Sequence, residues 1–117
     1  MSQHEKIDYV EFPASDLTAN KVFFNKTFGW VFEDFGDEYT AFANQGIDGG
    51  FYKADLKSIA ANGSALVVFL SKDLEATQQK IVDNGGSILQ EIFSFPGGRR
   101  FHFADPCGNE YAVWSKT

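Results

Sequence analysis

Residues 99–114 read R-R-F-H-F-A-D-P-C-G-N-E-Y-A-V-W, the pattern of a strand, a tight turn and a second strand. Asp105 to Asn109 make the turn. Pro106 presets its own φ, and Gly108 can take the positive φ that a tight reversal needs. The flanks, residues 100–104 and 110–114, are rich in aromatic and β-branched residues, as strands are. Side chains alternate along a strand with a period of two. Arg100 and His102 therefore share one face, and Phe101 and Phe103 the other. Such a strand is either a solvent-facing side or one wall of a lined pocket.

The same reading extends outward from this hairpin. Residues 7–13 alternate as a strand, with Tyr9 and Glu11 on one face and Asp8, Val10 and Phe12 on the other. Ser15 and Asp16 are both good N-cap types. From Leu17 the pattern turns helical, with Leu17, Val22, Phe23, Phe24 and Phe28 as the apolar stripe and Gly29 as the stop. Strands follow at residues 30–35 and 39–43, and a third begins at Gly49-Gly50-Phe51-Tyr52. Glycines at a strand start point to close backbone approach or a bulge. Residues 53–63 form a polar connector. An apolar strand at 65–71 then leads to a helix at 74–84, with Leu74, Ile81 and Val82 on its apolar side. Residues 87–92 read as a strand and 93–98 as a loop before the hairpin.

Two halves of the chain match at a single offset of 57: Val10 with Val67, Phe12 with Phe69, Asp16 with Asp73, Leu17 with Leu74, and Gly29 with Gly86. The matches cover a strand, a helix cap, a helix start and a helix stop in the same order. The chain is therefore one α+β domain, 1–117, built from two βαβββ modules, the first at about 7–53 and the second at about 65–115. One helix leaves one face of each module's sheet uncovered. Two such faces together form a curved trough of mixed sheet, a natural ligand site.

Composition narrows the function. With 117 residues, 44% hydrophobic and 22% charged, the chain suits a soluble globular domain, and its 13 Phe mostly fill the core. A net charge of −6 argues against a nucleic-acid backbone as partner. No apolar run is long enough to span a membrane, and the polar N-terminus lacks a signal sequence. The lone Cys107 excludes an internal disulfide framework. A cytoplasmic location is expected.

The paired βαβββ plan, the opening I-D-Y-V-E-F-P-A-S-D-L, the helix end F-F-N-K-T-F-G-W, the G-G-F segment and the terminal F-A-D-P-C-G-N-E-Y-A-V-W resemble the vicinal oxygen chelate superfamily. Its members include glyoxalase I, extradiol dioxygenases, fosfomycin resistance enzymes and bleomycin-binding proteins. Cys107 stands where the family's turn commonly has Asp. The resemblance implies a divalent metal held on the trough faces. Its ligand positions fall at Tyr9, at Leu66, near Gly49 to Phe51, and at Ala112, seven residues after Asp105. None is His, Asp or Glu, and a divalent ion needs converging O or N ligands. The chain thus resembles a metal-free, glyoxalase-like branch. No metal and no cofactor are expected, and neither lactoylglutathione lyase nor dioxygenase activity.

With Ala112 on the trough face, parity adds Glu110 and Trp114. The family's substrate-contacting position, three before the turn Asp, falls at His102, with Arg100 beside it. Tyr9 and Glu11 face in from the first strand, and Phe51 with Tyr39 or Phe42 adds walls. The expected ligand contacts are Tyr9, Phe51, Arg100, Glu110 and Trp114. His102 and Glu11 are the candidate acid/base residues. Bland readings stand beside these: His102 as a hydrogen-bonded filler, Glu11 and Arg100 as a charge-cancelling pair, Arg99 as solvent-facing, and Cys107 as structural. Three functions remain open. One is a module binding a small, partly aromatic or anionic molecule. Another is a lyase- or isomerase-type enzyme working without the usual metal. The third is a metal enzyme using Glu11, His102 and Glu110. A homodimer is expected, and whether both walls of the trough come from one chain is left open.

Overall fold

The computed structural model describes residues 3–117. Its elements are β1 (Tyr9–Ala14), α1 (Leu17–Phe28), β2 (Phe32–Asp34), β3 (Tyr39–Phe42), β4 (Asp48–Lys53), β5 (Val67–Leu70), α2 (Leu74–Asp83), β6 (Ser87–Phe95), β7 (Gly98–Ala104) and β8 (Glu110–Ser115). The strands form two four-stranded sheets, ordered β1-β4-β3-β2 and β5-β8-β7-β6. The outer strand of each module lies parallel to the module's last strand, β1 to β4 and β5 to β8, and the other pairs are antiparallel. The two modules therefore repeat one topology. Asp16 caps α1 by accepting from the Ala19 amide, and Asp73 caps α2 by accepting from the Ala76 amide, the same contact displaced by the sequence offset. No helix among the described residues is long and apolar enough to cross a membrane.

Three local readings change. Val22 and Val82 are about half exposed, and Asn20 and Thr27 join Phe23 and Phe24 as the buried residues of α1. The first short strand contracts to Phe32–Asp34. The stretch read as a loop at 93–98 is mostly strand: β6 runs to Phe95, and only Pro96 and Gly97 turn. Two register irregularities along β6 break its alternation, which is why the pattern looked like a strand end.

Among the described residues no strand pair joins the sheets, and β1 and β5 are each an outer strand. Ring contacts show how the sheets meet. Phe24 of α1 lies 5.5 Å from Phe51 of β4, the neighbouring Phe23 lies 6.2 Å from Phe103 of β7, and the Phe23 and Phe24 ring centres are 4.9 Å apart. Were the sheets edge to edge, with β1 beside β5, then β4 and β7 would be four strand spacings apart, about 19 Å. Adjacent rings of one helix cannot span that. The sheets instead face each other across α1, with Phe12 of β1 5.2 Å from Tyr111 of β8. The buried Phe12, Phe51, Phe101, Phe103, Tyr111 and Val113 form one core with Phe23, Phe24, Leu74 and Ile81 of the helices. Each sheet turns its other face away from that core.

A buried carboxylate ties the two modules together. Asp105 Oδ1 accepts from the amides of Cys107 and Asn109. Its Oδ2 accepts from Asn20 Nδ2 of α1, from Asn109 Nδ2 and from the Tyr111 hydroxyl. Asn109 Nδ2 also donates to the carbonyl of Pro13 in β1 at 2.7 Å. Burial raises the Asp105 pKa, while these donors, Tyr111 foremost, pull it back. Cys107 is buried in the same turn, its thiol donating to the Asp16 carbonyl.

Candidate functional site: the two open sheet faces

On the open face of the second module, Arg100, His102 and Glu110 form a line. His102 sits opposite Ala112 and Arg100 opposite Trp114 across β7 and β8. An Arg100 Nη2 lies 2.8 Å from His102 Nε2, and His102 Nδ1 lies 2.7 Å from Glu110 Oε2. A guanidinium only donates. His102 Nε2 must then accept, so the ring proton sits on Nδ1 and is donated to Glu110. The other oxygen of Glu110 accepts from the Ala60 amide. His102 and Glu110 side chains are each 12% exposed. The His102 hydrogen bond, more than any other influence, holds the Glu110 carboxyl below the usual carboxylate range. Arg100 lies over the rings of Phe93 and Phe95, at 5.8 and 6.0 Å from their centres. Its Nε is buried and has no hydrogen-bond partner among the described residues. Trp114 stands next to Phe95, with ring centres 6.3 Å apart.

On the open face of the first module, the Tyr39 hydroxyl donates to Glu11 Oε2 at 2.8 Å. Its oxygen lies 2.6 Å from the Tyr9 hydroxyl. With the Tyr39 proton committed to Glu11, the Tyr9 hydroxyl donates to Tyr39. Desolvation, then the contacts with Tyr9 and Glu11, push the Tyr39 phenol well above its ordinary pKa. Gly50 makes room for this chain: a Cβ there would collide with the Tyr39 hydroxyl. Tyr9 is 42% exposed and Tyr52 36%.

The structure thus puts Tyr9, Glu11, Arg100, His102, Glu110 and Trp114 on faces turned away from the core. Phe51 is a correction. It is fully buried, because the β1–β4 register sets it opposite Phe12 on the helix side. Phe42 is buried likewise, and Tyr39 is the wall residue of that strand. The expected Glu11–Arg100 pair does not form, since Glu11 engages Tyr39 and Arg100 engages His102. Arg99 is not simply solvated. It pairs with Glu75 and donates to the Thr117 carbonyl. Sequence reasoning missed Phe93 and Phe95. The spacing of Phe93-Ser94-Phe95 carried the signal, which Pro96-Gly97 masked.

Between the helix-side faces, an apolar crevice of about 350 Å³ opens at the β1 and β5 edges, lined by Phe12, Trp30, Phe42, Phe69 and Tyr111 among others. At three of the family's metal positions, Ala112 carries a buried methyl, Leu66 is aliphatic, and the Tyr9 phenol is hydrogen-bonded. Among the described residues, no group of three His, Cys, Asp or Glu side chains is placed to hold a metal.

A model of the Glyoxalase/Bleomycin resistance protein/Dioxygenase superfamily matches residues 6–113, and the chain belongs to that superfamily. A glyoxylase-like domain-containing protein of Didymella fabae is 27% identical over 133 positions, spanning 99% of this chain and 98% of that protein. A glyoxalase-related enzyme of Fulvimarina pelagi superposes with a TM-score of 0.79 at 17% identity, covering 95% of this chain and 88% of that one. The antibiotic binding protein TnmS3 of Streptomyces sp. CB03234 superposes with a TM-score of 0.69 at 18% identity, covering 100% of both chains. At these identities the two structural matches speak for the fold.

Proposed function

We propose that this protein binds a small, partly aromatic or anionic molecule against the open sheet faces, without the metal site usual in its superfamily. The carrying observation is the Arg100–His102–Glu110 line, ordered by hydrogen bonds and ring contacts on a face that the helices do not cover. A fold relative that is an antibiotic binding protein supports the same reading. The binding trough is completed by a second copy. The two walls point away from a shared core, so one chain does not oppose them. The free outer strands β1 and β5 flank one crevice, and Val68 and Leu70 are 43% and 59% exposed there. Placing β1 of one chain beside β5 of another covers both edges and sets Tyr9 and Glu11 next to the partner copy's second-module face.

The test is mass spectrometry of small molecules released from the native protein, with a metal count on the same sample. A stoichiometric organic ligand with substoichiometric metal is expected. Stoichiometric metal with no organic ligand would overturn the reading. A lyase- or isomerase-type reaction without metal is the second reading, and geometry favours Glu11 over His102 as its base. Both His102 ring nitrogens are engaged, whereas the Glu11 carboxylate is exposed. That reading falls if Glu11→Gln leaves every screened turnover unchanged.

A further inference from the structure

The two adjacent arginines of β7 are treated differently by the fold. Arg99 has its charge answered: its guanidinium pairs with the Glu75 carboxylate, and its Nε donates to the Thr117 carbonyl. Among the described residues, Arg100 on the other face has no carboxylate partner. Glu110 is occupied by His102 and the Ala60 amide, and Glu11 by Tyr39. The hydrogen bond Arg100 makes is to a neutral ring nitrogen. The guanidinium carbon lies over the Phe93 and Phe95 rings, which carry no oxygen or nitrogen acceptor. The Nε–H is left buried and unanswered. The Nη1 group is not buried and makes no hydrogen bond among the described residues, so this fixed cation presents open N–H donors to an acceptor from outside the chain.

We infer that Arg100 is the group that meets the ligand, that the ligand presents an oxyanion to it beside a flat ring, and that His102 and Glu110 are positioning residues behind it. This rests on the small-molecule-binding reading above. The hydrogen-bond chain sets the roles. His102 spends its free lone pair on Arg100 and its proton on Glu110, so it offers the ligand neither a base nor a donor while the line is intact. Glu110 fixes the tautomer, the tautomer makes Nε2 an acceptor, and that acceptor fixes the guanidinium plane. The oxyanion, a carboxylate or a phosphonate, takes the N–H groups that remain. Phe93, Phe95 and Trp114 supply the apolar surface for a ring attached to it.

The experiment uses the full chain labelled with ¹⁵N and three probes of one ring size: benzoate, phenylphosphonate and the neutral benzamide. The two anions are expected to shift the Arg100 Nε–Hε resonance and the amides of residues 100–102 and 112–114, with benzamide binding about tenfold or more weakly. Arg100→Gln should abolish the preference for anions. His102→Gln can both accept from Arg100 and donate to Glu110, so it should keep benzoate binding within about threefold, whereas His102→Phe should lose about tenfold. Equal affinity for benzamide and benzoate at the same residues would overturn the oxyanion and leave the binding reading standing. No shift on either open face at about 10 mM of any probe, weaker than ~3 kcal/mol of binding, would overturn both. Loss of binding in His102→Gln as complete as in Arg100→Gln would make His102 a direct contact and overturn the positioning role.

Discussion

Asp105 links the turn of the final hairpin to α1, and its removal is the most demanding structural test. Asp105→Ala strips the acceptor from five buried donors: two backbone amides, two side-chain amides and the Tyr111 hydroxyl. A buried donor left unanswered costs about 1–3 kcal/mol, and water entering the vacated space keeps each near the low end, giving about 5 kcal/mol. Part is returned, because the carboxylate no longer has to be charged inside the protein. Its raised pKa shows that burial opposes the charge. The net expectation is a loss of about 3–5 kcal/mol, a large share of the ~5–15 kcal/mol that stabilises a typical domain. Asp105→Asn keeps the Oδ1 acceptor for both backbone amides, and the Tyr111 hydroxyl can turn to accept. Only the Asn20 and Asn109 amide contacts are lost, so the cost falls to about 1–2 kcal/mol. Urea unfolding of the three proteins at one fixed concentration gives the comparison, since any dimer makes stability depend on concentration. An Ala variant within about 1 kcal/mol of the parent, or an Asn variant as damaged as Ala, would refute the view that this carboxylate holds the modules together.

Three further outcomes follow from the geometry. Gly50→Ala puts a methyl into the Tyr39 hydroxyl, so it should cost about 1–3 kcal/mol and free the Tyr9–Tyr39–Glu11 chain, seen as a fall of the Tyr39 phenol pKa in a spectrophotometric titration. Leu70→Glu at the exposed β5 edge should leave the monomer folded but weaken self-association by about 2–4 kcal/mol over two copies, or roughly 30- to 1,000-fold, measured by sedimentation equilibrium. Glu110 has a folded pKa below the ordinary carboxylate value. Its link to His102 therefore contributes stability that is fully present above that ordinary value and is lost as pH falls through the lowered one. Denaturation midpoints of Glu110→Gln should consequently fall less steeply on acidification than those of the parent.

Much of this architecture could be read from the chain because it is local. The offset of 57 residues repeats helix caps and strand starts, and capping depends on neighbours three residues apart. Face assignment along β1, β7 and β8 needs only a period of two. What resisted reading was long-range. Phe51 follows two glycines with no side chain to mark a face, so its side depended on the register against β1. The partners of Glu11 and Arg100 depended on where one sheet lies relative to the other. That was set by aromatic packing around α1, which no short window of sequence records. Phe93 and Phe95 were hidden by a strand whose alternation is broken twice. The sequence pattern therefore named the wall residues more readily than the contacts between them.

The open faces make sense of an otherwise odd distribution of polarity. The first module offers acceptors, with a carboxylate and two phenols linked in a chain. The second offers a cation fixed against rings. Both are built on strands, which hold side chains more firmly than loops do, and the core behind them is nearly continuous aromatic packing. On the proposed reading, the opposing wall that excludes water from a ligand comes from a second copy at the β1 and β5 edges.

Mixed-label NMR tests the proposed composite trough without knowledge of the ligand. An equimolar mixture of ¹³C-labelled and unlabelled protein, refolded together, is examined by isotope-filtered NOE spectroscopy. Cross-peaks are expected between the Val68 and Leu70 methyls of one chain and the Tyr9 ring of another, in a particle of twice the 13.0 kDa chain mass. A particle of single-chain mass, or a dimer with no such cross-peaks, would contradict the composite trough.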